Sequence, residues 1–267
     1  MFRSFSIALL LSFTVPAFAQ QPTRPGFDPD KWNFMIATGP FIAPQYEGAT
    51  NYRVLPLPFI RASKGNYSIQ TEGPGLTANI INDPNFNAGP SIEFRGERDD
   101  DVNNTILKQF ETINSSIEAG GFVSYKVPTG PKGAGITFKV KAMFDIGNAH
   151  NGYTINNSIS YNKMIAPKVR GGLSIGSTFG DKNFNNTYFG VNAFNAAQSG
   201  FNQYQAGSGF KDISATLNLA YSIDKNWGLI GLFGYKKLIG AAIDSPIIKN
   251  LGTRDQFLGG LAVSYRF

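Results

Sequence analysis

Chemistry in a protein needs side chains that trade protons, attack carbon or hold metal, and this sequence offers few in useful company. It has one histidine, His150, and no cysteine in 267 residues. His150 lies in Asn148-Ala149-His150-Asn151-Gly152, and Asn-Gly signals a tight turn. A lone histidine there reads as a solvated turn residue. Hydrolysis would need a base beside a nucleophile, and no motif supports a triad of His150 with Ser177 or Ser208. Ser245, in Asp244-Ser245-Pro246, reads as a loop-shaping residue rather than a nucleophile. Asp99, Asp100 and Asp101, with Glu97 beside them, form the acidic cluster of the chain. Carboxylate oxygens suit Ca²⁺ and Mg²⁺, but the spaced D-x-D-x-D-G pattern of a calcium loop is missing. The cluster reads as a solvated loop, with cation binding as its functional alternative. Zero cysteine excludes a disulfide framework and a thiolate metal site. Gly171-Gly172 and Gly259-Gly260 read as strand glycines that ease curvature, not as phosphate cradles. No cofactor is expected, and the chain is not expected to be an enzyme.

The ends of the chain are more informative. Met1-Phe2-Arg3, an apolar run from Ile7 to Val15 and the small residues Ala17 and Ala19 read as a secretory signal peptide cleaved after Ala19. The run is too short for the roughly 20 apolar residues that a membrane-spanning helix needs. At the other end, Phe257, Leu261, Val263, Tyr265 and Phe267 alternate with Gln256, Leu258, Gly260, Ala262, Ser264 and Arg266. A period of two is the mark of a strand with two unlike faces. Composition agrees with strands facing lipid: 16% charged residues, 13% aromatic and 30 glycines, with no long apolar run after the signal. The net charge of +6 does not point to nucleic acid, since the chain is expected to be exported and no stretch is densely basic. It reads as spread surface charge, or as attraction to lipopolysaccharide phosphates or the cell wall.

Alternation recurs along the whole chain. Ile136, Phe138, Val140, Ala142, Phe144 and Ile146 oppose Thr137, Lys139, Lys141 and Asp145. Tyr153, Ile155, Ile159 and Tyr161 oppose Thr154, Asn156, Ser158, Ser160 and Asn162. In Trp227–Tyr235, Ile230 and Leu232 spoil the polar face. Such segments suit tilted strands crossing a bilayer, and their aromatic ends suit interfacial girdles. The expected fold is all-β: a transmembrane antiparallel up-and-down barrel. Eleven strands are legible; an even number is the rule, so twelve are expected (range 10–14). The missing strand falls before Ile92, where Pro56 and Pro58 blur the pattern. Residues 1–19 are the signal, 20–31 a flexible lead-in and 32–267 the barrel. Short turns at 128–133, 166–168 and 224–226 face the periplasm. Long loops face outward, among them 180–211, expected as a projecting hairpin, and 239–255, expected to fold over the mouth. Lys139, Lys141 and Asp145 become candidate lumen charges, and Asp99, Asp100 and Asp101 a candidate outer-loop cation site among lipopolysaccharide phosphates. Tyr265 and Phe267 form the expected signal for the barrel-assembly machinery.

Several segments carry a family likeness. Gly39-Pro40, Tyr46-Glu47-Gly48 and Leu55-Pro56-Leu57-Pro58 resemble the N-terminal signature of the MltA-interacting protein (MipA/OmpV) family. Gly89-Pro90 with Arg95-Gly96 and Arg98-Asp99 is similar, as are Tyr188-Phe189-Gly190-Val191, Tyr235-Lys236-Lys237-Leu238, Asp244-Ser245-Pro246-Ile247 and Tyr265-Arg266-Phe267. The resemblance covers essentially the whole mature chain. It implies an outer-membrane protein of Gram-negative bacteria. It also implies a scaffold linking a murein hydrolase, a transglycosylase, to a murein synthase. The alternative expectation is a small porin-like diffusion channel.

Overall fold

The computed structural model describes residues 28, 30–56, 58–131 and 133–267; Ala17 and Ala19 lie outside the described residues. The wall is built from β1 (Asn33–Thr38), β2 (Pro40–Pro44), β3 (Tyr52–Pro56), β4 (Phe59–Lys64), β5 (Tyr67–Glu72), β6 (Gly75–Asn79) and β7 (Phe86–Arg95). It continues with β8 (Ser116–Pro128), β9 (Gly135–Asp145), β10 (Tyr153–Ala166), β11 (Val169–Gly180), β12 (Gly209–Ser222), β13 (Trp227–Leu238) and β14 (Asp255–Arg266). From β4 to β14 each strand pairs antiparallel with the next, and β14 closes back on β1 and β2. β1 and β2 are one stave: both hold a single register against β14, and the break falls at Gly39-Pro40. A Cβ on Gly39 would sit 1.9 Å from the Leu261 carbonyl oxygen, so glycine is required at this kink. β3 and β4 likewise share one register against β2 and β1, and are interrupted next to Pro58. Fourteen segments therefore make a closed barrel of twelve staves. The stave that the prolines hid lies before Ile92, as expected, because proline removes a ladder donor without ending the wall.

Parity decides what each side chain meets. Along β9, Phe138, Val140 and Phe144 point outward and are exposed, whereas Lys141 and Met143 are buried inside. The same outward rows continue with Ile117, Val123 and Tyr125 on β8 and Leu217, Leu219 and Tyr221 on β12. A band of exposed large apolar side chains around the circumference is stable only against hydrocarbon. Aromatic rings mark both rims. Phe144, Tyr153, Phe179 and Phe210 form a chain across β9 to β12, with centroids 5.7, 6.4 and 5.9 Å apart. At the opposite rim Tyr265 packs 4.8 Å from Trp227 and 4.9 Å from Phe267, and the Phe267 N–H donates to the Phe34 carbonyl at 3.0 Å. Turns on that second rim are short and loops on the first are mostly long, so the second rim is the periplasmic one.

Two departures from strict alternation shape the interior. Ile230 and Leu232 do face the lumen: Leu232 packs against a small apolar patch of Phe41, Ala43 and Leu258. On β12 the ladder to β11 shifts between Thr178 and Phe179, so that Asp212 opposes Thr178 while Phe210 opposes Phe179. Lys211 is the extra residue of this bulge, and the bulge turns both Lys211 and Asp212 inward.

Candidate functional site

The main apolar core of the molecule lies in its outer mouth rather than in the wall. Loop 45–51, loop 96–115, loop 146–152, loop 181–208 and loop 239–254 all fold over the opening. Loop 181–208 carries α1 (Lys182–Phe189) and α2 (Ala193–Ser199); loop 239–254 carries α3 (Ala241–Asp244) and α4 (Pro246–Leu251). Asp181 caps α1, accepting the Phe184 N–H at 2.9 Å and the Tyr153 N–H at 3.0 Å. Asn192 caps α2 through the Asn195 N–H at 2.8 Å, and Gly200, at φ 72°, ends it. The expected projecting hairpin at 180–211 is thus corrected. The segment is helical and turns inward because Phe184, Tyr188, Phe189 and Val191 have apolar partners there: Val102, Leu107, Phe110, Leu238, Ala242, Ile247 and Ile248. Each fully buried ring or branched chain contributes about 1.5–3 kcal/mol.

Polar bonds stitch these loops together. The Ser245 hydroxyl donates to the Phe189 carbonyl at 2.6 Å and accepts the Ile247 N–H, which gives this residue the loop-shaping role read from sequence. The Tyr204 hydroxyl donates to the Ala241 carbonyl at 2.7 Å, and Arg98 donates to the Tyr188 carbonyl at 3.0 Å. Gln256, pointing in from β14, accepts the Gly48 N–H at 2.8 Å and donates to the Ala49 carbonyl at 3.0 Å.

Beneath the apolar seal lies a layer of buried ion pairs. Glu47 from the first loop accepts from Lys211 at 2.5 Å and from Lys236 at 3.3 Å, and both ammoniums also reach Asp212, at 2.8 and 3.4 Å. Burial alone would raise the Glu47 carboxyl. The two ammoniums and the Lys211 hydrogen bond outweigh it and hold the group at about 2. Across the mouth, Arg95 pairs with Glu118 at 2.5 Å, and the His150 Nε2 lies 3.0 Å from Glu118 Oε1. Phe184 joins the two groups. Arg95 and Lys211 lie 4.8 and 5.4 Å from its ring centroid, and His150 meets it edge-on at 5.0 Å. One level deeper, Glu72 bridges Lys139 at 2.5 Å and Lys141 at 3.2 Å, and Lys141 also binds Glu93.

The sequence-derived candidates divide accordingly. Lys139 and Lys141 face the lumen as a paired set. Asp145 also points inward, but its carboxylate holds the following loop, accepting Ser116 Oγ and the N–H groups of Gly147, His150 and Asn151. His150 is not a solvated turn residue: its side chain is fully buried, and its Nδ1 accepts the Gly152 N–H at 3.1 Å. The reason is loop 181–208, which covers it. Asp99, Asp100 and Asp101 do not converge into a cation cage. Asp99 accepts the Asp101 N–H at 3.1 Å, and among the described residues no group of three acidic or imidazole ligands is arranged for a metal. Tyr265 and Phe267 sit together on the periplasmic rim. Glu47, Glu72, Arg95, Glu118 and Lys236 escaped the sequence-level search. The signal for the four wall residues was charge at lumen-facing parity; Glu47, in a loop, had none.

No curated protein matches the chain. Among solved structures, an outer-membrane channel from Pseudomonas putida F1 has a TM-score of 0.49 at 10% identity, covering 92% of this chain and 100% of its own. The NanC porin has a TM-score of 0.46 at 8% identity, covering 87% and 98%. A loop-deleted OmpT of Vibrio cholerae has 0.40 at 8% identity, covering 89% and 98%. The family model described as MltA-interacting protein MipA matches residues 36–267. That span is nearly the whole barrel, and the chain therefore belongs to the MltA-interacting protein MipA family of outer-membrane β-barrels.

Proposed function

We propose that this protein is a non-enzymatic interaction protein of the Gram-negative outer membrane, a barrel closed to diffusion that engages murein-processing enzymes from its periplasmic side. The observation that carries the reading is the sealed mouth. Four loops pack an apolar core over the lumen, His150 of a fifth lies against Phe184, and two layers of ion pairs lie below. A diffusion channel has no use for such a seal. The family's name, MltA-interacting protein, supports a protein partner. His150 supports the non-enzymatic part, because both ring nitrogens are engaged with Glu118 and Gly152 rather than with a nucleophile. The test has two arms. Planar-bilayer recording of the purified barrel should give no stable steps, and a purified murein transglycosylase should bind the barrel held in detergent. Stable conductance altered by Lys139→Gln would return the channel reading, which the polar lumen favours. No binding of a transglycosylase or a murein synthase would remove the scaffold.

A further inference from the structure

The wall forks in its outer half. β5 ends at Glu72 and turns at Gly73-Pro74 into β6, whose first residue, Gly75, opposes Glu93 of β7. Glu72 belongs to the deeper layer of ion pairs, so this hairpin stops well short of the outer rim. β3 reaches higher, and β7 with β8 runs on to the bridge between Arg98 and Ile113. The result is a notch, floored by the turn and flanked by β3 and β7, with no described strand between them. A side chain finishes the crotch of the fork. The Thr71 hydroxyl accepts the Ile60 N–H at 3.0 Å and donates to the Ile60 carbonyl at 3.4 Å.

Higher up, β3 has no such help. The Gln45 N–H donates to the Asn51 carbonyl at 3.0 Å. By the alternation of an antiparallel ladder, Ala43 with Arg53 and Phe41 with Leu55 are then the bonded pairs of β2 and β3. Pro40, Pro44 and Pro56 fall at the other positions, where no ladder donor is needed. The N–H and C=O of Tyr52 and Val54 therefore point into the notch. Among the described residues, no group pairs with the Val54 backbone on that side. Its depth is fixed by its neighbours. The Tyr52 hydroxyl accepts the Phe257 N–H at 3.1 Å, the Phe257 ring lies 5.3 Å from that of Tyr235, and Tyr235 donates to Asp255 at 2.5 Å. These aromatics and the carboxylate mark the outer interface. Val54 lies two residues further in, about 5 Å deeper at the tilt of a barrel strand, and is 63% exposed.

An open sheet edge does not stand bare in hydrocarbon, because no water replaces the missing partner. The occupant of the notch must bring a donor and an acceptor together, just beneath the outer headgroups. The rest of it must be apolar, since Ile60, Leu76 and Ile92 are exposed around the notch. An ester-linked phospholipid brings acceptors alone. Lipid A, the membrane anchor of lipopolysaccharide, carries amide-linked hydroxyacyl chains with N–H, O–H and C=O groups near the head of the chain.

We propose that the notch between β3 and β7 is a binding site for lipid A, with one acyl chain laid over the Gly73-Pro74 turn and its amide and hydroxyl groups paired to the Val54 backbone. The inference rests on the outer-membrane location and not on which protein the periplasmic side engages.

The experiment uses the detergent-refolded full barrel, with lipid A as the probe and phosphatidylethanolamine as the ester-linked comparison. In native mass spectrometry the barrel should retain lipid A about tenfold more tightly than phosphatidylethanolamine. Hydrogen exchange at the Val54 amide should slow about tenfold with lipid A and stay unchanged with phosphatidylethanolamine. Val54→Pro removes the N–H at an edge position that tolerates proline, and should weaken lipid A retention about three- to tenfold. Leu217→Ala, on the lipid face of a strand paired on both sides, should leave retention unchanged. Four results overturn the proposal: equal retention of the two lipids, an unprotected Val54 amide, undiminished retention by folded Val54→Pro, or equal weakening by Leu217→Ala. Should Val54→Pro fail to reach the heat-modifiable form, exchange in the wild type decides alone.

Discussion

Glu47→Gln isolates the lock on the outer seal. The native carboxylate sits between Lys211 and Lys236 at 2.5 and 3.3 Å. Its pKa falls from 4.5 to about 2 despite full burial, through those two ammoniums. A displacement of that size corresponds to about 3 kcal/mol favouring the folded, ionised form. Breaking one member of a buried pair costs about 3–5 kcal/mol, which agrees. The group's folded pKa is depressed, so its contribution is complete above about 4.5 and is lost as pH falls towards 2. The first loop belongs to the seal and not to the wall, so the expected effect is local. Hydrogen exchange at Gly48 and Ala49 should accelerate about a hundredfold in the variant at neutral pH, while amides of β8 to β13 stay protected. Wild type should acquire the same acceleration between pH 4.5 and 2, after correction for intrinsic exchange. The variant should show little further change across that window. Unchanged exchange at Gly48 in the variant, or identical acid profiles for the two proteins, would refute the reasoning.

Phe184→Ala removes the ring that joins α1 to Arg95, Lys211 and His150 and should loosen the seal by about 3–5 kcal/mol, seen as conductance steps in planar bilayers where wild type is silent. Ile175→Arg places a charge on the lipid face of β11 and should cost about 2–4 kcal/mol, measured by denaturant unfolding in liposomes. Deletion of Phe267 removes the ring 4.9 Å from Tyr265 and should lower the heat-modifiable fraction assembled in cells while leaving refolding in detergent unaffected.

The wall was legible because a lipid-facing strand has a rigid code: every second residue must be apolar. Ile136 to Ile146 shows this directly, with its polar partners falling inside the barrel. The code also held a clue that went unread. Ile213 faces lipid, so strict alternation would turn Lys211 outward at the rim, at a cost of about 0–1 kcal/mol near the interface. The bulge in β12 turns it inward to Glu47 and Asp212 instead. The seal was less legible because it has no period. Phe184, Tyr188, Phe189, Ile247 and Ile248 are scattered among asparagines and glycines, and what brings them together is the closed wall beneath. The length of 180–211 suggested projection, whereas its aromatic residues were the better guide. Glu47 stood in plain view within Tyr46-Glu47-Gly48, but its partners lie 164 and 189 residues away, and no local pattern reports a contact at that range.

Those long separations fix an order of events. Glu47 cannot meet Lys211 or Lys236 until the first and last staves have joined, since only circumferential closure brings the two ends of the sequence to one opening. Loop-closure entropy is therefore spent on the cylinder first, and the stopper condenses afterwards. Pulse-labelled refolding should catch a species whose strand amides are protected while Gly48, Phe184 and Ile247 still exchange freely. During that interval the outer mouth stands without its stopper.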